Sequence, residues 1–198
     1  MGVSEKVAPF LPISRVAKRE DGRYFLDYDQ PKSIGYVAPF YGNFGVYLKA
    51  YAYILRLGGT GLTRATENAV LAANYMRKRL CEHFEVPYNR ICMHEFVASA
   101  SSQAKQGVHA LDFAKGLLDK GYHAPTVYFP LIVPEAIMIE PTETENKETL
   151  DRFIDDLIEI AELAVTDPAA IQAAPVTLPV TRLDETRAAR AMELTDDL

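Results

Sequence analysis

The chain has 198 residues, 48% of them apolar and 24% charged, with a formal net charge of −6. That is a globular composition, long enough for one domain with a core plus an arm. It excludes a disordered chain, and the lack of any basic block argues against nucleic acid, whose phosphates need clustered Lys and Arg.

The two cysteines, Cys81 and Cys92, fall in no CxxC pattern and read as reduced thiols. No leader of basic, apolar and small residues stands at Met1, and no apolar run spans a bilayer, so a cytoplasmic protein with no membrane contact is expected. Met1-Gly2 runs straight into Val3-Ser4-Glu5-Lys6, which reads as the interior of a longer chain.

In chain order, residues 13–18 and 23–28 are β-prone and flank Glu20-Asp21-Gly22, a hairpin signal. A loop through Pro39, Phe40, Tyr41, Gly42 and Asn43 follows. Phe44, Leu48, Tyr51 and Leu55 recur at helical spacing, and Gly58-Gly59 stops that helix. A second helix carries Leu62, Ala69, Ala73, Met76 and Leu80 on one face.

Residues 92–99 alternate as a strand, and 108–120 form a helix that stops at Gly121. Residues 126–133 and 135–141 read as two more strands. Leu150, Phe153, Ile154, Leu157, Ile158 and Ala161 give the clearest helical period of the chain. Thr142 and Glu145 have capping-box spacing for it, with Thr144 and Asn146 as alternative caps. After Asp167-Pro168, the Ala- and Pro-rich residues 169–180 read as an extended arm, and the charged residues 182–198 as helix or disordered tail.

The pattern is α+β: a small mixed or antiparallel sheet with helices on one face, preceded by a hairpin and two linking helices. The corresponding segments are 1–43 (hairpin), 44–90 (linking helices), 91–166 (α+β domain) and 167–198 (arm).

Candidate site residues sit at the ends of these strands, where a rigid sheet can aim them. His94-Glu95 could act as an acid–base pair, but neighbours in a strand point to opposite faces, which favours one buried and one solvated side chain. His123, between a helix stop and Pro125, reaches a cleft or bonds the helix end in equal measure. Thr126 shares that stiffened loop. Glu140, Glu143 and Glu145 could hold a base, but carboxylates at a helix start more often complement its dipole. Tyr41 and Asn43 stand at a helix N-terminus, a weak anion-site signal. The four histidines show no metal-ligand spacing.

Three of these stretches, His94-Glu95-Phe96, Gly121-Tyr122-His123-Ala124-Pro125-Thr126 and Met138-Ile139-Glu140-Pro141-Thr142-Glu143, resemble the C-terminal part of the glycine cleavage system P-protein, glycine dehydrogenase (decarboxylating). The closing Arg182-Leu183-Asp184-Glu185 most resembles subunit 2 of the bacterial two-subunit form. The resemblance implies the small C-terminal domain of a fold-type I enzyme dependent on pyridoxal phosphate. It implies an oxidoreductase of glycine catabolism that decarboxylates glycine and passes the aminomethyl group to the lipoyl arm of the H-protein. It further implies a subunit 1 partner in a homo- or hetero-oligomer.

The resemblance also implies that the cofactor lysine lies upstream of the stretch matching Val3. Lys6, Lys18 and Lys32 lack its context, so no bound cofactor and no activity are expected of this chain alone. His123, Thr126, His94 and Glu95 are the expected cleft-facing catalytic candidates, with Glu140, Thr142, Tyr41 and Asn43 near substrate or cofactor. Two other readings stand beside this one: a non-catalytic regulatory or assembly module of the same fold, and an unrelated small α+β enzyme using His94 and Glu95.

Overall fold

A computed structural model describes residues 3–38 and 41–192. Pro39 and Phe40, expected in the loop before the first helix, lie outside the described residues, as do 193–198 of the charged tail. The chain forms two compact units, Met1–Arg56 and Leu57–Leu198.

In the first unit, β1 (Arg15–Lys18) and β2 (Tyr24–Asp27) pair antiparallel, with Arg15 opposite Asp27 and Lys18 opposite Tyr24. The Asp21-Gly22 turn closes the hairpin. Gly22 takes φ 86, a value that side chains rarely adopt, and Asp21 Oδ1 accepts the Arg23 N–H at 3.0 Å.

The two linking helices run on as α1 (Phe44–Leu80), in which Gly58 has non-helical angles, φ 61 and ψ −175. The glycine turn expected between them is thus a single residue, one whose missing Cβ makes that backbone accessible.

In the second unit, β3 (Phe96–Ser99), β4 (Thr126–Val127) and β5 (Ala136–Ile139) form one antiparallel sheet in the order β3-β5-β4. The three candidate strands therefore share a sheet. Phe96 faces Ile139, Val97 faces Met138 and Ala98 faces Ile137, while Thr126 faces Met138 and Val127 faces Ile137. Opposed residues share a face, so Phe96, Ala98, Ile137 and Ile139 point to the core and Val97, Met138 and Thr126 to the other side.

All three strands are shorter than expected, each for a local reason. Residue 92 does not join β3 because the Asn74 side chain occupies its backbone. Asn74 Oδ1 accepts the Cys92 N–H at 3.0 Å, and Asn74 Nδ2 donates to the Cys92 carbonyl at 2.8 Å. β4 stops at Tyr128, whose φ is 58, and Pro130 beyond it has no donor for a ladder. Glu135, at φ 49, stays outside β5.

Behind the sheet lie α3 (Ala110–Asp119) and α4 (Lys147–Thr166). Phe113, Leu117, Ile154 and Leu157 are fully buried with Met76 and Leu80 of α1 in one cluster. Gly116 lets α3 approach α4: a Cβ there would sit 3.2 Å from Ile160 Cδ1. Among the alternative caps for α4, Asn146 takes the role, its Oδ1 accepting the Thr149 N–H at 2.9 Å. A four-residue helix, α2 (Ser101–Ala104), follows β3.

The expectation of an extended arm after Asp167 is corrected in part. Residues Pro168–Ala173 form α5, because Asp167 caps the Ala170 N–H and Pro168 suits a first turn. Ile171 and Ala174 are buried. Beyond them the chain is held by acidic side chains of α3. Asp119 accepts hydrogen bonds from the Val176 and Thr177 N–H groups and the Thr177 hydroxyl. Asp112 pairs with Arg182 at 2.7 Å. A last turn, α6 (Glu185–Arg190), is capped by Asp184. No helix among the described residues is long and apolar enough to cross a membrane, and Cys81 and Cys92 are both free.

Candidate functional site

A cavity of about 310 Å³ opens where β4, the end of β5 and the first turns of α4 meet. Its floor is apolar: Met76, Met138, Ile139, Leu150 and Phe153. Its rim is polar: His123, Thr126, Glu140, Thr142, Glu145 and Thr149. An apolar pocket of this size with a few convergent polar groups is the usual form of a small-molecule site.

The rim is assembled by local rules. Gly121, at φ 84, ends α3, and the Tyr122 N–H donates to the Leu117 carbonyl at 3.0 Å, which turns the chain toward β4. Pro125 restricts the other side of the loop. His123 is exposed at the rim, and its imidazole has no hydrogen-bond partner among the described residues. Thr142 Oγ1 lies 2.7 Å from Thr144 Oγ1, so the turn into α4 ties itself together.

His94 Nε2 lies 3.6 Å from Glu140 Oε1 and 4.0 Å from Glu95 Oε2. The expectation that His94 and Glu95 face apart is therefore wrong. Both residues precede β3, so strand alternation does not apply to them. Their ligand atoms and that of Glu140 all lie within 4.8 Å of one another, a grouping that spacing along the chain did not reveal. All three side chains are 42–55% exposed, and they form a polar cluster beside the cavity.

Six of the eight sequence candidates thus line the cavity or join it through Glu140. Tyr41 and Asn43 belong to the other unit and do local work. Asn43 Oδ1 caps α1 by accepting the Val46 N–H at 3.1 Å, and the Tyr41 hydroxyl lies 2.7 Å from that of Tyr28. At the helix N-terminus weighed as an anion site, Asn43 thus serves one of the free N–H groups.

Sequence reasoning did not single out Tyr122 and Asp156. The Tyr122 hydroxyl donates to Asp156 Oδ2 at 2.6 Å, and its ring meets Phe153 edge-on at 5.1 Å. Burial pushes the phenol up, the Asp156 carboxylate pushes it further, and together they bring it to about 12. For Asp156 itself, burial acts to raise the carboxyl, but hydrogen bonds from Lys120 and Tyr122 outweigh it and hold the group below its ordinary range. Asp156 lies on the same face of α4 as Phe153 and Glu159, the one available signal, and pairing it with Tyr122 needs the folded chain.

Fold and site together define an α+β domain with a partly polar cleft at its strand ends. The family model described as "Glycine dehydrogenase, C-terminal domain" matches residues 65–175, and the chain belongs to that family. It is 57% identical over 190 residues to the probable glycine dehydrogenase (decarboxylating) subunit 2 of Bacillus cytotoxicus, covering 96% of this chain and 38% of that protein. The protein of the same name from Listeria monocytogenes serotype 4b is 55% identical, over 96% of this chain and 39% of its own length. The chain therefore spans well under half the length of these relatives.

Among solved structures, an inhibitor-bound glycine decarboxylase (P-protein) of the glycine cleavage system shares the fold, with a TM-score of 0.60. It is 18% identical, with 78% of this chain and 37% of that one covered. Family membership sets aside the reading as an unrelated α+β enzyme.

The cavity residues do not by themselves fit pyridoxal phosphate. Neither lysine nor arginine lines the cavity, so its walls offer no amine for the aldehyde and no cation for the phosphate.

Proposed function

We propose that this chain is the C-terminal part of a glycine decarboxylase, and that its cavity is the wall this domain turns toward the substrate. The whole enzyme releases the glycine carboxylate as CO2 and passes the aminomethyl group to the lipoyl arm of an H-protein. It works as an oligomer with a subunit 1. Pyridoxal phosphate is held by parts of the whole protein beyond the described residues. The role of this domain is to cover the ligand, exclude water and present polar groups. His123, Thr126, Glu140 and Thr142 face the cleft, and His94 and Glu95 back Glu140.

One observation carries this reading. The family match over residues 65–175 contains every residue lining the cavity, from Met76 to Phe153. The test is exchange of labelled bicarbonate into the glycine carboxyl by the whole enzyme carrying this sequence, with subunit 1 and lipoylated H-protein present. Exchange is expected there and not with the isolated chain. Borohydride reduction of the isolated chain after incubation with pyridoxal phosphate is expected to leave no stoichiometric lysine adduct. A whole enzyme that assembles but shows no exchange contradicts the reading, and an adduct on one lysine contradicts the placement of the cofactor.

A further inference from the structure

The loop that carries His123 leaves α3 at Gly121, whose φ of 84 is open to glycine and to few other residues. Surface loops are held less firmly than the elements they connect unless side chains tie them down. Here both neighbours of Gly121 are bound to one carboxylate. Lys120 Nζ donates to Asp156 Oδ1 at 2.8 Å, and the Tyr122 hydroxyl donates to Asp156 Oδ2 at 2.6 Å. Lys120 also reaches Glu159 at 2.9 Å, one turn further along α4. The Tyr122 ring lines the cavity itself and meets Phe153, another lining residue, edge-on at 5.1 Å. On the far side Pro125 fixes the backbone, so His123 sits between two restrained points.

We propose that Tyr122, held by the Asp156 carboxylate that also binds Lys120 on the other side of Gly121, is a positioning residue that fixes His123 over the cavity. This rests on the reading of the cavity as the substrate-facing wall. The clamp is suited to holding and not to reacting. Its phenol, pushed up to about 12 by burial and by Asp156, stays protonated at neutral pH and keeps donating. Asp156 stays ionised and keeps accepting. Both oxygens of Asp156 are engaged, so the carboxylate cannot swing toward the ligand without releasing the loop. His123 has no such partner among the described residues, and its aim is set by the backbone on which it stands.

The test compares Tyr122→Phe, Asp156→Ala and His123→Ala, singly and combined, in the whole enzyme. Misplacing an active group by about 1 Å can cost up to about a hundredfold, so loss of one tether is expected to cost about tenfold. Tyr122→Phe removes only the hydroxyl and keeps the ring packing. It is expected to lower kcat for bicarbonate exchange about tenfold with little change in the glycine KM. Tyr122→Phe added to His123→Ala is expected to cost nothing further, because the clamp acts through His123.

Full additivity of the two losses, or an unchanged kcat in Tyr122→Phe, overturns the proposal. The second readout is side-chain relaxation of the His123 imidazole by NMR in the 198-residue chain, which needs no activity. Order is expected to fall in Tyr122→Phe and further in Asp156→Ala. Unchanged order in both overturns the clamp. A clamp seen by NMR together with a His123→Ala enzyme of full activity instead refutes the catalytic reading of the cavity.

Discussion

Arg182 fastens the C-terminal arm to α3, and its truncation should be costly. Its Nη1 pairs with Asp112 Oδ1 at 2.7 Å, its Nε donates to the Ala174 carbonyl at 2.8 Å and its Nη2 to the Ile171 carbonyl at 3.3 Å. Asp112 is 5% exposed, and its other oxygen accepts the His109 N–H at 2.7 Å. Arg182→Ala leaves that carboxylate with one neutral donor. Breaking a buried ion pair costs about 3–5 kcal/mol. The Arg182 side chain is 35% exposed, so water reaches the stranded carboxylate and the low end, about 3 kcal/mol, applies. For a unit of this size each kcal/mol moves Tm by about 3 °C, which gives a fall of about 10 °C.

The assay is thermal unfolding by circular dichroism of Arg182→Ala, Asp112→Asn and the double variant. The two changes should be strongly non-additive, since each removes the same pair. A fall below about 2 °C for Arg182→Ala, or simple additivity, refutes the reasoning.

Three further outcomes are expected. At Asp119, burial acts to raise the carboxyl, but the Thr177 N–H and hydroxyl and the Val176 N–H outweigh it and hold the group below its ordinary value. A depressed folded pKa gives stabilisation that is present above the unfolded value and lost as pH falls through the folded one. The Val176 and Thr177 amide signals should therefore titrate together, below the ordinary aspartate range, and stop titrating in Asp119→Asn. Asn74→Ala removes both hydrogen bonds to the Cys92 backbone and should cost about 2 kcal/mol in denaturant unfolding, at about 1 kcal/mol per bond; an unchanged midpoint would show that water replaces the amide. On α1, Phe44, Leu48, Tyr51 and Leu55 are 56–75% exposed, so the isolated chain should bind apolar dyes and self-associate in light scattering, where a dye-silent monomer would count against an uncovered interaction face.

Much of the fold was legible because its signals are local. The hairpin follows from Asp21-Gly22 between two β-prone runs, and α4 from apolar residues at a helical period starting beside a capping residue. Between residues 92 and 166 the order of the three strands and of α3 and α4 was readable in the same way, whereas the four-residue α2 was not, because residues 100–106 read as a small polar loop. The strand ends were not, because what trims them is not periodicity. A side chain from α1 claims the backbone of Cys92, and positive φ values at Tyr128 and Glu135 end the ladder around the β4–β5 loop. Helix α5 hides in an Ala- and Pro-rich stretch whose composition suggests an arm.

The candidate site was legible as pieces and not as a geometry. Placing His123, Thr126, Glu140 and Thr142 on one rim needs the pairing of β4 with β5, which the sequence pattern does not give. His94 and Glu95 were judged by the alternation of a strand they do not belong to. The Tyr122–Asp156 bond joins residues far apart in the chain, and periodicity carries no trace of it. Asn43 shows helix-start chemistry that serves the helix itself, and Tyr41 bonds the Tyr28 hydroxyl.

The most direct test of the cavity as a substrate-facing wall is His123→Ala in the whole enzyme, with bicarbonate–glycine exchange and Tm measured on the same preparation. The imidazole is exposed and unpartnered among the described residues, so Tm should stay within about 2 °C of the parent. Exchange should fall by at least about tenfold, as expected for loss of a positioned polar group at the reacting centre. Parent-level exchange in a folded, assembled His123→Ala enzyme would contradict this assignment.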